Sequence, residues 1–514
     1  MAGYDYVVVG AGTAGCVLAA RLSEDPAARV LLLEAGGASV PEAVSVPSVW
    51  LSLQGTAVDW ADVSAVQAST CDTVPLPRGR TLGGSSAINA MVFTRGHRSS
   101  YDAWTAGGAE GWGYDDLLPY LRRTESAPGR DPALRGTSGP LTVAPAPERH
   151  PLAAAGLRAA YEVGAPAADD INSGEEEGFG WADLNIVDGR RQSAADAYLI
   201  PVIGRSNLDV VTGALAHRVR VEGGRCTGVT FSLGDEIHTA DCDGEVVLCA
   251  GTAGSAHLLM LSGIGPADHL RTRGVEVVLD LPGVGANLHD HPRSTVVVGS
   301  PRPVPPGVNN HAEVIGLIAS ALSPGTPDLQ FQVLDVPYHS PGLPPSLPVP
   351  GQAYSVAFGA MTPRSRGSLR LRDGEPGGRI RFDPNYYGDP HDVATMAEGL
   401  RIAREIAGAD ALAPWRAAEV LPGPDRDLGD VDAVRTYLYN SLRTYSHHVG
   451  TCRMGTAGEA VVDPELRVRG VERLRVADAS VMPSVVSANP NATVYAIAER
   501  AADLLDGRGG GRMA

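Results

Sequence analysis

The segment from Tyr6 to Glu34 constrains this chain most. Tyr6-Val7-Val8-Val9 is a short apolar, β-branched run of the kind that forms a buried parallel strand, and it stops at Gly10-Ala11-Gly12-Thr13-Ala14-Gly15. Cys16 to Leu22 then places apolar residues at helical spacing, and Val30-Leu31-Leu32-Leu33 supplies a second apolar strand ending at Glu34. Strand, glycine turn, helix, strand and acid, in that order, predict a dinucleotide-binding unit. Each glycine has its own reason: Gly10 turns the chain tightly, Gly12 lets the backbone approach a pyrophosphate, and Gly15 lets the helix pack closely on the strand. The helix start at Thr13 and Ala14 then faces the phosphates. Glu34 follows Gly10 by 24 residues, near the spacing of a carboxylate that accepts from the adenosine ribose hydroxyls. The pattern does not distinguish FAD from NAD.

Charge narrows the partners. The 514 residues carry 42 basic and 59 acidic side chains, a formal net charge of −17. That balance argues against nucleic acid and against an anionic membrane surface, since both need an excess of positive field. Lysine is absent, which excludes a Schiff-base lysine and a Walker-type phosphate loop; with Ala and Gly abundant, it suggests a GC-rich, bacterial genome. The six cysteines form no CxxC pair and no Cys/His cluster at zinc spacing, so they read as reduced thiols and no metal site is expected. No apolar run approaches the roughly 18 residues of a membrane span, and Met1 leads into the first strand without a basic, cleavable leader. A cytoplasmic protein is expected.

Further motifs carry a resemblance. Residues 77–98 read PRGRTLGGSSAINAMVFTRGHR, and Tyr101 to Trp104 follow. Gly189 to Pro201, Cys249 to Gly251 through Leu261 to Pro266, Gly283 to His291, His447 to Gly455, and Val476 to Ser480 through Asn489 to Thr493 continue the series in order. Together they resemble the glucose-methanol-choline flavoprotein oxidoreductases over nearly the whole chain, with a choline dehydrogenase-like character. The resemblance implies an α/β fold: an FAD-binding Rossmann-like domain with an interleaved α+β substrate domain built on an antiparallel sheet. The cofactor motifs lie at the beginning, middle and end, so residues 1–150, 190–295 and 440–514 are expected to form the FAD domain. Residues 151–189 and 296–439 would form the other. There, Pro-rich stretches at Pro301 to Pro306 and Pro341 to Pro350 surround strand-like runs at 329–333 and 354–358, and a helical stretch follows from Asp392 to Ala407.

The resemblance also implies a cofactor and a site. FAD is expected to contact Gly10, Gly12, Thr13, Ala14, Gly15, Glu34, Arg80, Gly83, Gly84, Ser85, Asn89, Ala90, Met91, Ala216, Ala250, Asp478, Ala479, Asn491 and Thr493. Taken alone, Gly83 to Ser86 could equally be a surface turn, and Asp478 a structural acceptor. Some choline-oxidising members attach the flavin through a histidine just before the asparagine of the glycine-serine loop; Ile88 stands there in this chain, so FAD is expected to bind non-covalently. A second departure, Ala256 where the family's second signature usually has Pro, carries no expected consequence.

An alcohol surrenders a hydride from carbon only when its hydroxyl proton is also removed, and histidine is the natural base near neutrality. Among thirteen histidines, His447 matches the family's catalytic position and His448 is its neighbour. If the two sit on a strand, only one faces the flavin. Asn489 matches the second catalytic residue, although Asn before Pro490 also has the form of a helix N-cap. The helix that begins there would set its positive end toward the flavin. For substrate, Glu313 lies roughly where choline-oxidising relatives place a carboxylate against a quaternary ammonium. Asp335 and Tyr338 are further candidates, with His339 beside them. The implied reaction is oxidation of a small-molecule alcohol to the carbonyl, with O₂ or another acceptor re-oxidising the flavin. A non-redox member, of hydroxynitrile lyase or photodecarboxylase type, and a non-catalytic flavin-binding protein are the alternatives. The tail from Asp506 is expected to be disordered.

Overall fold

A computed structural model describes residues 3–175, 177–340, 348–456 and 458–507. The proline stretch from Pro341 and the tail beyond Gly507 therefore lie largely outside the described residues.

Two seven-stranded sheets organise the chain. In the first, Tyr4–Val9 pairs in parallel with Val30–Glu34 on one side, Val7 opposite Leu31, and with Glu236–Leu248 on the other, Val7 opposite Val246. Leu208–Thr212 extends the sheet beyond Val30–Glu34, and Leu474–Val476 closes on the far side of Glu236–Leu248. Continuous apolar sequence is what a strand covered on both faces requires, and all five residues of Val30–Glu34 are buried. The 13-residue strand Glu236–Leu248 continues past the parallel region into an antiparallel ribbon with Arg225–Leu233 and Ala214–Glu222.

Under this sheet the helix Thr13–Leu22 buries every residue but Arg21. Arg21 reaches across to Glu499 of the last helix, Asn491–Leu505, donating from Nε at 2.9 Å and Nη2 at 2.8 Å. Small residues at the seam, Gly15, Ala19 and Ala20, let the helix lie close to its neighbours, and a Cβ at Gly15 would come 1.8 Å from the Gly10 carbonyl oxygen. Gly15 thus has the packing role its position predicts.

The second sheet is antiparallel, in the order Glu419–Leu421, Pro292–Gly299, Ala353–Ala360, Leu329–Leu334, Val314–Ile318, Gly178–Trp181, with Arg443–Thr444 also on Pro292–Gly299. The runs expected at 329–333 and 354–358 are strands of this sheet. The expected helix spans Pro390–Gly408, with Asp389 accepting from the His391 N–H and proline at the first position. In chain order this sheet takes Gly178–Trp181 first, then the strands from Pro292–Gly299 to Arg443–Thr444.

A buried ionic network joins segments of the two expected domains. Arg135, fully buried, donates to Glu125 at 2.7 and 3.1 Å, to Asp183 at 2.8 Å and to Asp170 at 2.6 Å. Arg95 also reaches Glu125, at 2.6 Å, and Arg130 reaches Asp183, at 2.8 Å. Three guanidinium groups thus face three carboxylates. Among the described residues no helix is long and apolar enough to cross a membrane.

Candidate active site

A cavity of about 1220 Å³ runs from the first glycine turn to the edge of the second sheet. Gly10, Gly12, Thr13, Ala14, Glu34, Gly84, Ser85, Asn89, Ala90, Ala216, Ala250, Asp478, Ala479 and Asn491 all line it, and so do His447, Asn489 and Tyr338. Residues far apart in sequence meet here because the chain returns to the first sheet at Leu474–Val476 and then enters the last helix.

The first helix begins at Gly12 with no side chain capping it, so its leading N–H groups are available to an anion. The two glycine loops touch back to back: the Gly83 N–H donates to the Ala11 carbonyl at 2.8 Å, and a Cβ on Gly84 would come 2.7 Å from Gly12 Cα. Gly83 and Gly84 both have positive φ, +87° and +53°, which only glycine adopts without strain. Asn89 is held by its neighbours, its Oδ1 accepting from Arg191 at 2.8 Å and from the Met91 N–H at 2.9 Å. Thr13 donates to Asn491 Oδ1 at 2.7 Å, joining the starts of the two helices.

Glu34 sits on the wall with Oε2 accepting from the Ala11 N–H at 2.9 Å and Oε1 from the Gly36 N–H at 2.7 Å. Burial pushes its carboxyl up, and these backbone bonds and Arg80 oppose the push. Asp478 is raised by burial in the same way; it accepts from the Gly251 N–H and from Ser255 and Ser480, which makes it a structural anchor of the cavity wall.

Several expected contacts are placed elsewhere. Gly15 and Gly83 lie behind the wall and shape it. Arg80 is exposed and its guanidinium stacks 4.9 Å above the Trp60 ring. Met91 is fully buried outside the cavity lining, at φ +56°. The Thr493 hydroxyl points to Tyr101 OH at 2.9 Å, away from the lining. The substrate carboxylates need the larger correction. Glu313 is buried off the cavity, accepting from the His150 N–H at 2.7 Å and from Asn309 at 2.8 Å. Asp335 is paired with His311 at 2.6 Å, also off the cavity. Both are consumed by neighbours that a linear sequence does not reveal.

At the far end of the cavity His447 Nδ1 lies 2.9 Å from His291 Nδ1, and His291 Nε2 lies 3.0 Å from the Met361 carbonyl. The carbonyl only accepts, so His291 carries its proton on Nε2; burial pushes its pKa down to about 4, so its Nδ1 is an acceptor. His447 must then donate from Nδ1. Burial, followed by the charges of His291, His448 and Arg293, also holds His447 well below the ordinary histidine value. It is neutral, with an unprotonated Nε2 that has no partner among the described residues. Asp290 fixes the backbone here, accepting from the His447 N–H at 2.7 Å and from the hydroxyls of Tyr386 and Thr444.

His448 lines the cavity as well, its ring 4.8 Å from Phe382 and its Nε2 3.4 Å from Asp290. The alternation expected of a strand does not apply, because residues 446–449 are not in one. Asn489 is not an N-cap either. The helix starts at Asn491 with Pro490 before it and no side-chain cap, and Asn489 Oδ1 is buried without a partner.

The residues fit a large flavin nucleotide: an uncapped helix start, facing glycine loops that a Cβ would close, and an orphaned carboxamide oxygen, all around one cavity. Residues 4–293 and 363–498 match the family described as GMC oxidoreductase. The chain belongs to this family. This GMC oxidoreductase is 39% identical to the mitochondrial choline dehydrogenase of Homo sapiens, over 98% of this chain and 90% of that one. It is 36% identical to an alcohol dehydrogenase [acceptor] of Pseudomonas putida, over 98% and 95%. Among solved structures, pyridoxine 4-oxidase from Mesorbium loti superposes with a TM-score of 0.93 at 38% identity, over 97% and 98%. The cofactor of this GMC oxidoreductase is FAD.

His291 was not singled out by the sequence beyond its place in the run Gly283 to His291. Its partner His447 lies 156 residues away, so only the family resemblance of that run marked it.

Proposed function

We propose that this protein oxidises an alcohol to the carbonyl with FAD, using His447 as the base and Asn489 as the group that holds the substrate oxygen. The observation that carries the reading is the hydrogen-bond chain from Met361 through His291 to His447, which leaves a bare ring nitrogen on a residue that lines the same cavity as Asn489. When bound, FAD accepts the two electrons and the hydrogen that leave the alcohol carbon. His447 Nε2 takes the hydroxyl proton. Asn489 Nδ2 donates to the hydroxyl oxygen, which leaves the hydroxyl proton free to point at His447. The uncapped start of the last helix lines the same space through Pro490, Asn491 and Val494, and its positive end favours negative charge placed there. Relatives named choline dehydrogenase and alcohol dehydrogenase [acceptor] oxidise alcohols by name, which supports oxidation over the non-redox alternative. A cytoplasmic, bacterial setting is part of the same reading.

The pH dependence follows from the direction of the His447 shift. A base with a depressed pKa is already neutral at pH 7, so flavin reduction is expected to stay level from neutral to alkaline pH and to fall only on the acid side, below the ordinary histidine value of about 6.5. Anaerobic stopped-flow reduction across pH checks this; a rate that climbs only above about pH 7 would reject His447 as the base.

We further propose that FAD is held without a covalent bond. Ile88 lines the cavity and has no nucleophilic atom. Precipitating the protein in acid should release the yellow colour to the supernatant, and flavin remaining on the pellet would reject the assignment.

A further inference from the structure

The substrate end of the cavity has the wrong charge for a quaternary ammonium. Glu313 and Asp335 are turned away and satisfied elsewhere. In their place stand Arg293 and Arg443, which are direct cross-strand neighbours on Pro292–Gly299 and Arg443–Thr444. Both guanidinium carbons lie 4.3 Å from the same Tyr338 ring centroid, and both side chains line the cavity.

Like charges placed directly opposite on an antiparallel pair repel, so a carboxylate between them is the usual remedy. Neither arginine has an ion-pair partner among the described residues. Arg293 donates to Gln332 at 3.2 Å, and its Nε is buried without a partner; Arg443 donates to the His339 carbonyl. Residues 341–347, which follow Ser340 in the sequence, read PGLPPSL and contain no acid. Burial would raise the Tyr338 phenol, yet Arg443 and Arg293 hold it below its ordinary value. A positive field is therefore built into this wall of a protein whose net charge is −17.

The field lies one ring from the base. The Arg293 guanidinium is 4.7 Å from the Tyr445 ring centroid, and Tyr445 stacks on His447 with centroids 5.2 Å apart at 13°. A ligand with an anion on the arginine pair would place its carbon skeleton along Tyr445 and reach His447 with its other end. Guanidinium groups suit a planar carboxylate, which they bind through paired N–H donors.

We infer that the substrate is an alcohol that carries a carboxylate, its anion held by Arg293 and Arg443 and its hydroxyl at His447 and Asn489. This rests on the alcohol-oxidation reading above. The test uses the purified yellow holoenzyme and matched pairs that differ only in charge: 3- and 4-(hydroxymethyl)benzoate and ω-hydroxy acids, each against its methyl ester, with choline as the cationic probe.

Anaerobic flavin bleaching is expected to show at least tenfold higher specificity for an acid than for its ester, and a preference that shrinks at high salt. In Arg443→Gln and Arg293→Gln the preference should fall below threefold, with rescue in Arg293→Lys if the glutamine variant fails to fold. Benzoate, which has no hydroxyl, should shift the visible flavin spectrum where methyl benzoate does not.

If no alcohol bleaches the flavin but benzoate still binds, alcohol oxidation fails and the anion site stands. If alcohols bleach it while every ester equals or exceeds its acid, or choline exceeds them all, the anion site falls and alcohol oxidation stands.

Discussion

Replacing His447 with alanine is expected to slow anaerobic flavin reduction by about 10²–10⁴-fold, roughly 3–5 kcal/mol of barrier, while the protein stays yellow. The size follows from the arrangement of three groups. His291 holds the His447 ring by Nδ1 and leaves Nε2 bare, Asp290 holds its backbone, and Asn489 lines the same cavity. Removing the imidazole leaves the hydroxyl proton with no acceptor at the right place. The flavin should remain, because the contacts at the glycine loops and at the first helix are distant from this ring. Rapid-mixing absorbance with saturating substrate separates the chemical step from binding. An effect below threefold would move the base to His448, which touches the same cavity.

The second large effect is on stability. Arg135→Met is expected to destabilise the protein by about 3–5 kcal/mol, because it removes one cation from a buried set of three and leaves Glu125, Asp170 and Asp183 facing only Arg95 and Arg130. Methionine fills much of the arginine stem's volume, so the loss reports charge and hydrogen bonds more than a cavity. The urea midpoint of the holoenzyme measures it. A shift equal to that of an exposed control such as Arg435→Met would show that the network contributes no more than a surface ion pair. Acid should narrow the difference. Asp183 has its pKa lowered by Arg135 and Arg130 against the effect of burial, so its contribution is present above the ordinary aspartate value near 4 and is lost as pH falls through the depressed one.

Local periodicity made much of the fold legible. The run from Tyr6 to Glu34 has one reading because a glycine turn between two apolar strands leaves a helix no other place to go, and the strands at 329–333 and 354–358 announce themselves by β-branched and aromatic residues between proline-rich segments. The helix at 392–407 was foreshortened at its start by two residues, since Asp389 caps it and Pro390 opens it. The site was legible in part, and mostly through motif resemblance. His447 and Asn489 come to one wall of one cavity. Glu313 and Asp335 do not, because nothing in their flanking residues tells that His150, Asn309 and His311 will satisfy them. Arg293 and Arg443 escaped notice for the converse reason: one arginine among forty-two is ordinary, and only the pairing of two distant strands sets these side by side.

The parallel order of the first sheet has a consequence for how the chain is made. Tyr4–Val9 leaves the ribosome long before one of its two flanking strands, Glu236–Leu248, which follows about 230 residues later, and Leu474–Val476 follows later still. At a synthesis rate of roughly 5–20 residues per second, the first gap alone lasts on the order of 10–50 s. During that time an apolar strand edge stands open to water and to other nascent chains. The helix Asn491–Leu505, which forms part of the cavity wall, follows all of these strands, so the cofactor can be enclosed only once that helix too has been made. Newly made chains should therefore depend on chaperones, and the supply of flavin matters once the helix Asn491–Leu505 has emerged.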